Sequence, residues 1–140
     1  MNPTSKFSIG DTLAARYRLD ATLGRGAMGE VFRGHDLELH RDVAVKMLAD
    51  VETGEESRLL NEARAAASLN HPGLVAIYDV GRHGGAPFLV MELVAGANLR
   101  AQPPRDFDGI ARMALQILGA LEQAHRHGIV HRDLKPGNVM

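Results

Sequence analysis

Three glycines within six residues, Gly24-Arg25-Gly26-Ala27-Met28-Gly29, stand between two segments whose side chains alternate as strands do, residues 17–23 and 30–35. Glycine turns tightly because it has no Cβ, so strand–glycine–strand reads as a hairpin. The backbone N–H groups of such a hairpin can close over an anion. The same glycine spacing also opens dinucleotide-binding folds, and Asp50 lies about 20 residues on, where such folds hold a ribose. Those folds need a helix directly after the glycines. Residues 30–36 read instead as strand and contain a further glycine, Gly34. The hairpin reading is therefore preferred.

The pattern beyond the hairpin predicts an α+β fold. Residues 1–16 are a polar lead-in. Residues 43–48, rich in β-branched side chains, read as a third strand, and residues 50–54 as a loop. Leu59, Leu60, Ala63, Ala66, Ala67 and Leu69 recur at helical spacing across residues 55–69. Asn70-His71-Pro72-Gly73 ends that helix. Residues 74–80 and 87–93 read as two strands joined by a glycine-containing turn, and residues 96–108 as irregular. Ile110, Met113, Ala114, Ile117, Leu118, Leu121 and Ala124 then form the apolar stripe of a second helix, which ends near Gly128. A short extended stretch leads into a polar loop. The expected division is a lead-in at 1–16, a small sheet domain at 17–95, and the start of a helical one at 96–140.

Composition narrows the function classes. The chain has 16 basic and 17 acidic residues, net charge −1, so it lacks the positive excess of a nucleic-acid binder or a polybasic membrane anchor. It has no cysteine, which removes disulfides, thiolate metal sites and cysteine nucleophiles. No apolar run reaches the ~18 residues of a membrane span, and no secretory leader pattern opens the sequence. The expectation is a soluble cytoplasmic chain without membrane or nucleic-acid contact.

Three further motifs carry chemistry. Val43-Ala44-Val45-Lys46 places a cation in an apolar strand. A lone lysine there is usually just solvated, but after a strand–glycine–strand it is placed to reach phosphates. Glu62 lies on the following helix. A single helical glutamate is most often solvated, and Glu52, Glu55 and Glu56 lie nearby; a Glu62 on the buried side would hold Lys46 in position. His131-Arg132-Asp133-Leu134-Lys135-Pro136-Gly137-Asn138 is the most specific. Phosphoryl transfer to a hydroxyl needs a carboxylate to take the hydroxyl proton, and Asp133 fits. It needs oxygen ligands for Mg²⁺, and the amide of Asn138 supplies one. Lys135 is suited to offset charge on the moving phosphoryl group. The other histidines show no metal-ligand spacing.

These motifs, in this order, resemble the protein-kinase family: the glycine-rich loop, V-A-x-K, and H-R-D-L-x-x-x-N. Lys135, two places after Asp133, resembles the serine/threonine kinases. Asn70-His71-Pro72, Val90-Met91-Glu92 and residues 131–140 resemble bacterial members. The resemblance implies a kinase-like small lobe, an antiparallel sheet with one helix, followed by the start of a helical lobe. It implies ATP and Mg²⁺ as cofactors and a protein Ser/Thr hydroxyl as substrate. Leu23, Gly24, Arg25, Gly26, Ala27, Met28, Gly29, Glu30 and Val31 would form the nucleotide loop, with Ala44 on the neighbouring strand. Lys46 would contact the α- and β-phosphates and pair with Glu62. Met91 would back the adenine pocket, and Glu92 to Val94 would be the hinge.

The sequence departs from the family in several places. Residues 100–108 carry Pro103-Pro104 where relatives have a short helix, Ala95 replaces a frequent acidic residue, and Met28 a frequent aromatic one. No Asp-Phe-Gly segment occurs in the 140 residues. The expectation is a front fragment of a catalytic domain, inactive alone; the alternative is an ATP-binding or interaction module. The stripe of the second helix would then favour self-association.

Overall fold

The computed structural model describes residues 7–26, 29–48 and 53–140. Ala27 and Met28 of the expected nucleotide loop, Asp50 to Glu52 of the expected loop, and the start of the lead-in lie outside the described residues. The chain divides into two compact units. One comprises the residues before Ala65 with Ile77–Leu93, the other Ala65–Ala76 with Val94–Met140.

The first unit is a six-stranded antiparallel sheet with a helix. Its strands are β1 (Thr12–Leu13), β2 (Tyr17–Gly26), β3 (Gly29–Asp36), β4 (Arg41–Leu48), β5 (Ile77–His83) and β6 (Ala86–Glu92), in spatial order β1-β2-β3-β4-β6-β5. Helix α1 (Thr53–Ala66) lies between β4 and β5 in sequence. A strand, not a helix, follows the glycines, which excludes the dinucleotide-binding arrangement. Side chains alternate across a strand, so Val43, Val45 and Met47 of β4 share one face. They pack there with Leu13, Tyr17, Leu19, Phe32, Phe88 and Val90 as the core. Gly34 is on the same face: a Cβ there would lie 2.8 Å from the Arg18 carbonyl oxygen and 3.1 Å from Val45 Cγ2.

The sheet is curled. Tyr17 Oη of β2 donates to Asp79 Oδ2 of β5 at 2.6 Å, although three strands separate them in the sheet. The Ala14 N–H, just past β1, donates to His83 Nδ1 at the end of β5, the opposite edge strand, at 3.2 Å. A second polar tie fixes the β3–β4 turn. Arg16 donates to both oxygens of Asp36 at 2.8 and 2.7 Å, and Asp36 Oδ1 also accepts from the Glu38 and Leu39 N–H groups. The Asp36 side chain is 1% exposed. The guanidinium beside it holds its carboxyl far below the usual carboxylate range against the opposing effect of burial.

Several boundaries differ from the sequence reading, and helix α1 already begins at Thr53, within the expected 50–54 loop. Strand β1 arises within the expected lead-in, where the fully buried Leu13 joins the core. Strand β5 starts at Ile77 rather than at residue 74. Helix α1 stops at Ala66; the Ser68 and Leu69 N–H groups bond back three residues to Ala65 and Ala66, tightening its end.

The second unit is built on α2 (Phe107–Arg126). Asp106 caps it, its Oδ1 accepting from the Gly109 N–H at 2.6 Å. At the other end Gly128 adopts φ +74°, and the N–H groups of Gly128 and Ile129 bond back to His125 and Ala124. That left-handed terminus is why the helix stops at a glycine. Ala120 and Ala124 are buried. A Cβ on Gly73 would lie 3.1 Å from that of Ala120, so the 70–73 turn packs closely on α2.

Candidate nucleotide and catalytic site

Strand register gathers the expected nucleotide-binding side chains of the first unit. Val31 pairs with Lys46, and Lys46 with Leu89; Ala44 pairs with Met91. Lys46 and Ala44 alternate with the core residues Val43, Val45 and Met47, so Val31, Ala44, Lys46, Leu89 and Met91 lie on the sheet face opposite the core. Leu89 was not singled out from sequence. Its parity with Met91 on β6 was the available signal. The small, buried Ala44 lies opposite Met91, on the same face as the half-buried Lys46. β2 and β3 stay paired up to Gly26 opposite Gly29, where Gly29 adopts φ +125°. Gly24 lies opposite Val31. Leu23 falls in an irregularity between Thr22 and Gly24, and is exposed.

Arg25 and Glu30 face each other at the neck of the hairpin. Arg25 Nε donates to Glu30 Oε1 at 2.7 Å, and the Thr22 hydroxyl lies 3.5 Å from the same oxygen. Glu92 ends β6 and is exposed, while Val94 begins the second unit half-buried. Glu62 sits on α1 at an exposed position. Among the residues of α1 whose burial is described, Leu60 and Ala63 are buried.

The second unit carries the polar loop. Asp133 Oδ2 accepts from the Asn138 amide nitrogen at 3.1 Å and from Lys135 Nζ at 3.1 Å, and the Asp133 carbonyl accepts from the same amide at 2.8 Å. These two partners, Lys135 first and Asn138 second, hold the Asp133 carboxyl below its ordinary range. It is therefore a carboxylate at neutral pH, able to accept a hydroxyl proton. The Asp133 N–H donates to the His131 carbonyl at 2.9 Å. Pro136–Asn138 forms a short 3₁₀ turn with proline at its start. The Leu99 N–H donates to the Val139 carbonyl and anchors the far end.

Asn138 also decides what cation this loop could take. Its amide nitrogen is committed to Asp133, which leaves the amide oxygen as a hard, neutral donor. Among the described residues no cluster of three or more His, Cys, Asp or Glu is placed to hold a metal. A single oxygen suits Mg²⁺, which keeps several waters and phosphate oxygens rather than entering an all-protein cage. On that chemistry the residues present fit the ion.

The protein kinase domain family matches residues 17–140. A probable serine/threonine-protein kinase of Streptomyces coelicolor is 46% identical over 143 residues, covering 91% of this chain and 21% of that protein. The serine/threonine-protein kinase PknB of Mycolicibacterium smegmatis is 45% identical over 139 residues, covering 91% and 22%. The crystal structure of the PknI kinase domain of Mycobacterium tuberculosis superposes with a TM-score of 0.82 at 28% identity, over 94% of this chain and 56% of that one. This chain belongs to the protein kinase family. Its curled sheet with helices is that family's fold, and its relatives are bacterial serine/threonine kinases. The chain spans about a fifth of the length of those two curated relatives.

Proposed function

We propose that this chain supplies the nucleotide-binding and proton-accepting residues of an ATP-dependent kinase acting on protein Ser/Thr hydroxyls. The observation that carries the reading is Asp133, a carboxylate oriented by Lys135 and by the Asn138 amide. The substrate oxygen bonds to the γ-phosphorus as the bond to the bridging oxygen of ADP breaks, and the hydroxyl proton goes to Asp133. Lys135 offsets charge on the phosphoryl group, and Lys46 holds the α- and β-phosphates. Val31, Ala44 and Met91 bound the adenine, Glu92 to Val94 bind it through the backbone, and the loop from Leu23 to Val31 covers the phosphates. Asn138 would hold Mg²⁺, which would supply neutralisation of the phosphate charge. Glu62, on this reading, pairs with Lys46.

A second reading, an ATP-binding or interaction module without catalysis, draws on the exposed position of Glu62 on α1. We propose that the 140 residues alone bind ATP without transferring phosphate. We also propose a cytoplasmic location; among the described residues no helix is long and apolar enough to cross a membrane. Phe107, Leu115 and Leu118, 81%, 69% and 61% exposed, make self-association through α2 part of the proposal, to be read by sedimentation.

The test is ATP binding by calorimetry, with and without Mg²⁺, beside Lys46→Ala and Asp133→Asn. Saturable binding that is lost in Lys46→Ala and kept in Asp133→Asn supports the reading. Equal binding by all three, or none by the folded chain, refutes it.

A further inference from the structure

The glycine hairpin has two faces, and its phosphate-directed face is only one of them. Gly24, Val31 and Lys46 form one cross-strand row, on the face away from the core. Arg25, Glu30 and Met47 form the next row, and alternation puts them on the other face, with Phe32 and the core. Arg25 therefore points away from the side where phosphates would lie, although it stands between two glycines of the loop. Its guanidinium is not placed as a phosphate ligand. It is bound to Glu30, its directly opposed partner, at 2.7 Å. Glu30 is nearly buried, its side chain 11% exposed, whereas Arg25 is 65% exposed. Glu30 also has Thr22 within reach. One strand of the neck thus carries a nearly buried anion, and the other an exposed cation paired with it.

The neck is where order is hardest to keep. Gly26 and Gly29 are the last pair before the tip. Glycine loses more conformational freedom on ordering than any other residue, so this end of the hairpin frays unless side chains tie it. The Arg25–Glu30 pair is the last side-chain tie before those glycines. We infer that Arg25 is a positioning residue: by clamping Glu30 from the rear face it holds the two strands in register, so that the backbone of Gly24, Gly26 and Gly29 stays set to receive a nucleotide triphosphate. The inference rests on the nucleotide reading above. A loop that is competent only part of the time weakens apparent affinity by that fraction, so the clamp would appear in ATP affinity rather than in global stability.

The experiment uses the whole 140-residue chain and measures the Kd for MgATP of wild type, Lys46→Ala, Arg25→Ala, Arg25→Lys and Arg25→Glu. Urea unfolding and amide exchange at Gly24, Gly26 and Gly29 without nucleotide accompany it. Arg25→Ala is expected to weaken ATP binding by up to about fivefold, the limit for a cross-strand charge pair. Arg25→Lys restores most of the affinity, and Arg25→Glu weakens it beyond alanine because it opposes Glu30. Unfolding midpoints stay together, and the glycine amides exchange faster in the alanine and glutamate variants. Wild-type affinity in Arg25→Ala, or equal behaviour of the lysine and glutamate variants, overturns the inference. Wild-type ATP binding that survives in Lys46→Ala, or is absent, overturns the nucleotide reading instead and this inference with it.

Discussion

Removing one oxygen, in Tyr17→Phe, tests whether the curl of the sheet is fastened by the bond between β2 and β5. The Tyr17 ring is buried and packs edge-on against Phe88 at 6.1 Å between centroids. Phenylalanine keeps that packing, so the substitution isolates the hydroxyl. The bond it removes is short, 2.6 Å, and ends on a carboxylate. Hydrogen bonds to charged groups contribute about 1.5–3 kcal/mol. Asp79 is half-buried and keeps the Val80 N–H on its other oxygen at 2.8 Å, so water can partly replace the phenol. The cost should therefore lie near the lower end, about 1.5–2 kcal/mol. In an Asp79→Ala background the same substitution should cost less than about 0.5 kcal/mol, since the partner is gone. The pH dependence gives a further check. Burial first, and then Asp79, push the Tyr17 phenol well above its ordinary value. A raised folded pKa stabilises fully below the unfolded value of about 10 and is lost as pH rises through the folded one. Wild type should thus lose an increment of stability above about pH 10 that Tyr17→Phe never had. Urea unfolding of the four proteins at pH 7 and pH 10.5 measures all of this. An equal cost of Tyr17→Phe with and without Asp79 would refute the tie.

Arg16→Ala should unfold at lower urea than wild type at pH 7. The gap should narrow as pH falls below about 4, because the depressed Asp36 pKa stabilises only above the unfolded carboxylate value; a gap constant from pH 7 to 3 would contradict the assignment. Gly34→Ala forces a Cβ to 2.8 Å from a backbone oxygen and should cost about 1–3 kcal/mol by thermal or urea unfolding. Asp106→Ala removes the cap of α2 and should cost about 1 kcal/mol, read as faster amide exchange in its first turn.

The strands and helices were legible because their periods are local. Val43, Val45 and Met47 alternate, and the stripe of α2 repeats at helical spacing. Strand β1 was not legible: two residues cannot display a period, and Leu13 earns its place through packing with distant strands. The candidate site was readable as motifs, and register then explained why Val31, Ala44, Lys46 and Met91 belong on one face. Sequence did not reveal on which side of α1 Glu62 would lie, because acidic neighbours blur the polar face of that helix. Nor did it reveal the Tyr17–Asp79 tie, 62 residues apart in the chain, or the Arg16–Asp36 clamp. Polar partners that meet only after folding leave no periodic trace.

Arg132 holds φ +62°, a left-handed backbone that ordinary side chains avoid at a cost of roughly 1–2 kcal/mol. Bonds on the residues that follow, among them those joining Asn138 to Asp133, are placed to hold it there. The loop that presents the proton acceptor is therefore under tension, like a spring kept loaded by its own fastenings. Cutting a fastening such as Asn138 should let the backbone at Arg132 relax toward ordinary geometry and carry Asp133 with it. Aim and grip at this loop are set by the same few bonds.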